Sequence, residues 1–471
     1  MLPNSINEII SDTIKVFDDF NIKILNESSL RKSVIDLLVE KAVFGTDDEK
    51  KHSRWLIWEA ALTLNIYSSS IYALYTARGK EEIPLNFTTP AFNFRGMTYD
   101  TVRALFKTAK EQNVGAFICE IARSEMGYTN QSPEEYVSVI LAAAIKESWS
   151  GPVFIQGDHF QAKAISPGVP KEGEIDILKK LITEAIEAGF YNIDIDTSTL
   201  VNLEKSTVVE QQESNIKYTL ELLHQVRASQ PKNLIISVGG EIGHIGGVNS
   251  TVQDFKVYMN GLLAGLNNKE TGISKVSIQT GTSHGGVILP NGRLANVDID
   301  FSILGKISSY GRKVYKIAGA VQHGASTLAD EHFAHFPATQ AIEIHLATGF
   351  QNLIYDHPHF PKDLLEKIYT WLDETKLDEK KANWSDDQFH YKLRKKGWGR
   401  FKHDLWHIDS EAKKAIFTTL EERFEFLFKS LNVINTKELV DRFCTQKAPS
   451  KKVNDFGKPT ISSVIIEGLS D

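Results

Sequence analysis

The chain has 471 residues, with 53 Lys+Arg against 60 Asp+Glu, a formal charge of −7, 42% hydrophobic and 24% charged residues. That balance leaves room for a sizeable core, excludes wholesale disorder, and argues against a nucleic-acid binder, which carries a basic stripe. Cys119 and Cys444 lie too far apart in sequence to suggest a disulfide framework and suit a reducing compartment. Residues Met1 to Phe20 lack the basic-then-apolar order of a signal peptide, and no uncharged apolar run is long enough to cross a bilayer. A soluble, cytoplasmic protein without membrane or nucleic-acid partners is expected.

Three regions are predicted. Residues 1–83 read as a helical extension: Ile9, Ile10, Ile14, Val16 and Phe17 recur at helical spacing, and Trp55 to Tyr75 reads as a longer apolar helix. This region either packs on the barrel-like region after it or serves as a dimerisation arm. Residues 84–356 alternate short β-rich runs with amphipathic helical patterns, the signature of parallel βα units. Eight strands are predicted: Leu85–Phe92, Gly115–Ile121, Val153–Gln156, Tyr191–Ile195, Leu234–Val238, Lys275–Thr280, Val314–Ala318 and Ala341–Leu346. Eight repeats over this length predict an α/β fold of the (β/α)8 TIM-barrel type. An open dinucleotide-binding sheet would need a glycine fingerprint after its first strand, and Asn93-Phe94-Arg95-Gly96 is not one. Residues 357–471 form a helical C-terminal extension. Its basic run Lys392–Arg400 is expected to be a solvated loop or a contact to a neighbouring subunit, with a phosphate or nucleic-acid contact as the alternative.

Side chains that follow barrel strands gather at one rim, where active sites form. Asp158-His159 follows the third strand, Glu241 and His244 the fifth, His284 the sixth and His323 the seventh. Three imidazoles from separate strands make an open zinc site, and zinc polarises carbonyls as a Lewis acid. Asp158 either moves protons or orients a ligand histidine. Glycines after His284 and His323, with Ser326 and Thr327, offer N–H groups and hydroxyls suited to phosphate. His332, His335, His357 and His359 are assigned to surface. Lys163 and Lys316 are conceivable Schiff-base amines that a metal makes unnecessary.

The series resembles the class II, metal-dependent fructose-bisphosphate and tagatose-bisphosphate aldolases. The likeness lies in Pro90-Ala91-Phe92-Asn93, Gly157-Asp158-His159, Asp194-Ile195-Asp196-Thr197-Ser198, Glu213-Ser214-Asn215, Glu241-Ile242-Gly243, Thr282-Ser283-His284-Gly285 and His323-Gly324-Ala325-Ser326, in family order. The resemblance implies that His159, His284 and His323 hold one zinc ion, with Glu241 a nearby or alternative ligand. Asp158 would shuttle the proton at the C4 oxygen, and Gly285, Gly324 and Ser326 would receive a phosphate. Asn93 and Thr348 would lie near the substrate. It implies reversible cleavage of a phosphorylated ketose to dihydroxyacetone phosphate and an aldehyde through an enediolate. A monovalent cation and a homo-oligomer (dimer or tetramer) are further implications.

The chain departs from the family in two places. His345-Leu346-Ala347-Thr348 stands where the family carries Asn-x-Asp-Thr, and Val248-Asn249 where it carries an acidic residue. Ile118–Ser124 is more similar to the accessory subunit of tagatose-bisphosphate aldolase. The alternative function is therefore a non-catalytic accessory or sugar-phosphate-binding subunit. A metal-dependent hydrolase would carry His-x-His at the first strand, and Phe92-Asn93-Phe94 has none.

Overall fold

In the computed structural model, residues 2–18, 21–243, 248–281 and 299–458 are described. Eight parallel strands close on themselves: β1 (Thr89–Asn93), β2 (Ile118–Ala122), β3 (Gly151–Gln161), β4 (Asn192–Asp196), β5 (Ser237–Glu241), β6 (Lys275–Ile278), β7 (Ala320–Gln322) and β8 (Glu343–Leu346). Each pairs with its sequence neighbours, and β8 pairs with β1 to complete the ring. The fold is a (β/α)8 barrel. Its outer helices include α1 (Thr98–Glu111), α2 (Pro133–Lys146), α3 (Glu174–Ala188), α4 (Val208–Ser229), α5 (Val252–Gly265), α6 (Phe301–Tyr310) and α7 (Thr348–Tyr355). Their starts are locally encoded. Ser132 caps α2 ahead of Pro133, and Thr207/Glu210 and Thr251/Asp254 form capping boxes at α4 and α5.

The predicted seventh strand is displaced. Val314–Ala318 is not a strand: Gly311–Tyr315 continues the helical path from α6, and Lys316 turns the chain at φ +58°. The strand comes later, at Ala320–Gln322. Two expectations for the N-terminal region also fail. The first helix stops at Ile10, and Ile14–Val16 pairs antiparallel with Ile22–Ile24, because both segments alternate apolar and lysine residues with the period of a strand. The apolar stretch from Trp55 is interrupted by Asn65 at φ +58°, and Ile66–Ser69 joins the sheet beside β3.

Both extensions are stitched to the barrel. Asn192 on β4 holds the Ile71 N–H and the Ser69 carbonyl. The helix Ser410–Ser430 lays Phe424 and Phe428 against Phe92, Phe94 and Phe350, with the Phe92–Phe424 ring centroids 5.1 Å apart. The tail beyond it crosses the N-terminal helix Asp47–Thr63, where the indoles of Trp55 and Trp58 donate to the carbonyls of Lys451 and Pro449. Phe424→Ala is expected to lower stability by about 3–5 kcal/mol, the cost of emptying a buried aromatic site, read as a fall in the urea midpoint.

The basic run is helical rather than a solvated loop. Arg394 is buried in an ion pair with Asp356, and Trp398 packs so tightly over Gly96 that a Cβ there would stand 1.9 Å from the indole. Cys119 and Cys444 are buried free thiols. Among the described residues no helix is long and apolar enough to cross a membrane.

Candidate metal centre

Neighbouring side chains on a strand face opposite ways, yet Asp158 and His159 both contact groups inside the barrel. A bulge in β3 accounts for this. Its pairing with β4 runs Gly157 to Ile193 and then Phe160 to Ile195, so Asp158 and His159 together oppose the single residue Asp194. His159 sits at φ +39°, a left-handed conformation costly for a residue with a Cβ, and such strain gathers at functional sites.

The upper layer of the barrel interior is a row of imidazoles. The ring centroids of His159 and His323 are 4.1 Å apart, and those of His323 and His345 are 4.0 Å apart. His159 Nδ1 lies 3.1 Å from Asp196 Oδ2 and 3.3 Å from Glu241 Oε2, while its Nε2 lies 3.9 Å from Asp158 Oδ1. His323 Nε2 meets Ser277 Oγ at 2.9 Å. Asp158, His159 and His323 each offer a ligand atom within 4.8 Å of the others, as do His159, Asp196 and Glu241. Such groups fit a metal ion. A ligating histidine ordinarily donates its other ring N–H to a carboxylate, which Asp196 provides for His159.

The electrostatics are set by burial and company. Burial, with Asp196 beside it, pushes Glu241 up to about 7. Burial would also raise Asp196, but its hydrogen bonds, that from His159 foremost, hold it down at about 2. Burial disfavours a charged His159, yet Asp158 and Glu241 outweigh it and raise its pKa well above the ordinary value.

A charged layer lies beneath. Lys275 Nζ, 1% exposed, donates to Gln156 Oε1 at 2.8 Å, to Asp194 Oδ2 at 2.9 Å and to Glu343. The Tyr75 hydroxyl, supplied by the N-terminal region, donates to the other oxygen of Glu343. Burial works against the Lys275 charge, but Asp194 and Glu343 outweigh it and raise its pKa. This lysine is a fixed counter-charge rather than a nucleophile. Lys275→Met is expected to cost about 3–5 kcal/mol of stability, because it strands two buried carboxylates; chemical denaturation measures it.

The remaining expected site residues fall around the mouth. Asn93, at the end of β1, is buried and donates to Glu125, which also pairs with Arg95 at 2.7 Å. Arg95 reaches Thr348 Oγ1 at 3.4 Å. Gly324 adopts φ +71° directly after His323, and Ser326 Oγ accepts the Ala347 N–H. His284, Gly285 and His244 lie outside the described residues. Of His332, His335, His357 and His359, none is buried, and none joins a ligand group among the described residues.

Sequence reading missed Glu120, Asp194, Asp196, Lys275 and Glu343 as site groups and noted His345 as a departure from the family. A signal was present. Buried parallel strands read as continuous apolar runs, whereas Asn192-Ile193-Asp194-Ile195-Asp196 and Glu343-Ile344-His345 alternate, with the polar face turned into the barrel.

The profile of the family described as fructose-bisphosphate aldolase class-II matches residues 84–430, about three-quarters of the chain. The chain belongs to this family. No curated protein matches it in sequence. Among solved structures it is similar to a fructuronate-tagaturonate epimerase from Cohnella laeviribosi, with a TM-score of 0.52, 11% identity, and coverage of 74% of this chain and 82% of that one. It is also similar to a probable tagatose 6 phosphate kinase from Sinorhizobium meliloti, with a TM-score of 0.51, 13% identity, and coverage of 76% and 99%. A fructose-bisphosphate aldolase from Campylobacter jejuni matches with a TM-score of 0.47 and 17% identity, over 78% and 94%. At these identities the structural likenesses speak for the barrel alone. Aldolase-type chemistry on a sugar phosphate follows from the family.

Proposed function

We propose that the chain is a metal-dependent aldolase that reversibly cleaves a phosphorylated ketose to dihydroxyacetone phosphate and an aldehyde. The observation that carries the reading is the meeting of His159 and His323, rings 4.1 Å apart, beside Asp158 at the mouth of a class-II aldolase barrel. His159 and His323 would hold a zinc ion, with His284 and Glu241 completing the set. Bound there, zinc would supply a Lewis acid for the ketose carbonyl and for the enediolate that cleavage leaves.

The chain's own groups carry the rest. Asp158 takes the proton from the C4 hydroxyl during cleavage and returns it on condensation. Asp196 holds the His159 ring through Nδ1, so that Nε2 faces the site. Gly324 and Ser326, with Gly285, receive the phosphate of the dihydroxyacetone half, and Asn93 and Thr348 border the substrate.

One observation favours the accessory reading instead. His345 replaces a substrate-contacting position of the family, and both of its ring nitrogens face carboxylates. A cleavage assay with fructose and tagatose bisphosphates, coupled to triose-phosphate detection and repeated after chelation, separates the two. Chelator-sensitive cleavage supports the aldolase. A metal-loaded chain that cleaves neither sugar is an accessory subunit.

A further inference from the structure

The barrel interior carries more negative charge than one metal ion can balance. Glu120, Asp158, Asp194, Asp196, Glu241 and Glu343 are all at most 5% exposed, and among the described residues Lys275 is the one ammonium beside them. Lys275 and a single divalent ion offset only three of these six carboxylates. Taking uncompensated carboxylates out of water costs several kcal/mol each.

The surplus is concentrated around His345. Its Nε2 lies 2.8 Å from Glu343 Oε1, to which Lys275 and Gln156 also donate while Tyr75 holds the other oxygen, so Nε2 carries the ring proton and donates to Glu343. That tautomer leaves the Nδ1 lone pair pointing among acceptors: Glu120 Oε2 is 2.9 Å away and Asp158 Oδ1 is 3.2 Å away. Nδ1 has no partner in hydrogen-bonding geometry, and Glu120 Oε1, fully buried, accepts no hydrogen bond among the described residues. One imidazole nitrogen and two carboxylate oxygens thus converge as electron-pair donors. Two ligands held about 2.0–2.2 Å from one ion at tetrahedral or octahedral angles stand roughly 2.8–3.6 Å apart, and these spacings fall inside that range. A second proton on His345 would satisfy Nδ1 but leave Glu120 Oε1 unserved.

We infer that Glu120, Asp158 and His345 form a second divalent-cation site, adjoining the His159–His323 centre and sharing Asp158 with it. One imidazole and two carboxylates suit a transition-metal ion such as Mn2+, Co2+ or Zn2+ rather than Ca2+ or Mg2+, which prefer oxygen ligands alone. The carboxylate–imidazole arrangement of Glu343 and His345 repeats that of Asp196 and His159. A cation there holds Asp158 through Oδ1 and fixes the carboxylate's orientation, leaving Oδ2 for the C4 proton. The second site rests on the proposed aldolase centre only in sharing that residue.

The test is metal counting on the full-length, untagged chain. A surface group of Glu40, His403 and His407 could also collect metal, so every protein carries His407→Ala. After chelation, reloading with Mn2+ and desalting, the parent is expected to hold two equivalents. Glu120→Gln and His345→Gln each hold one, as does His323→Ala. Glu120→Gln is isosteric and removes a surplus charge, so its metal-free form is expected to melt no lower than the parent, which confirms that it folds. Electron paramagnetic resonance of the two-ion parent should show coupled Mn2+ spins, and the variants should not. One equivalent in the parent, lost in His323→Ala and kept in Glu120→Gln, overturns the second site and leaves the aldolase reading standing. No bound equivalent overturns both.

Discussion

His323→Ala is expected to abolish metal-dependent cleavage of ketose bisphosphates, lowering turnover on the order of 10³-fold or more. A Lewis acid contributes several kcal/mol to stabilising developing charge, and each ~1.4 kcal/mol is tenfold in rate. The substitution removes one of the two imidazoles whose rings meet at 4.1 Å and leaves the proposed ligand set incomplete. A graded companion is Ser277→Ala. The Ser277 hydroxyl lies 2.9 Å from His323 Nε2 and orients the ring, so its loss should weaken metal affinity by about 10–100-fold, the usual consequence of removing such a support. Metal titration followed by assay at saturating metal separates the cases: Ser277→Ala recovers activity with added metal, and His323→Ala does not.

Asp158→Asn is expected to lower turnover by roughly 10²–10⁴-fold, the range for a positioned acid–base group, while the His159–His323 centre keeps its ion. Asp158 faces the barrel interior by alternation from Gln156, and the bulge in β3 turns His159 in beside it. Asparagine has the same shape and cannot take up the proton. The coupled triose-phosphate assay measures the loss, and metal content with thermal melting shows that the site and fold persist. Activity within threefold of the parent would remove Asp158 from proton transfer.

The parts of this protein legible in its sequence are those governed by local pattern. Apolar β-rich runs located seven of the strands to within a few residues. The seventh strand was misplaced because Val314–Ala318 looks apolar enough for a strand. Its path is set by the continuing helix and the left-handed turn at Lys316, which only tertiary packing decides. The same limit applies to the basic run, where Trp398 and Arg394 look like surface until Gly96 and Asp356 are brought to them from distant parts of the chain.

The site divides in the same way. Asp158-His159 and His323-Gly324 stand out because histidine beside aspartate or glycine at a strand end is chemically distinctive. Glu120, Lys275 and Glu343 lie inside strands and are joined only when the barrel closes. No spacing along the chain links Lys275 to Glu343. The polar alternation of β4 and β8 was a readable hint that this barrel encloses charge rather than the usual layers of branched apolar side chains.

The central claim is that the mouth of the barrel grips a divalent ion between His159 and His323. The most direct measurement is an anomalous difference map from crystals of the full chain loaded with Co2+. The account predicts a strong peak within bonding distance of both imidazoles. A Co2+-loaded crystal with density elsewhere and none between those two rings would contradict it.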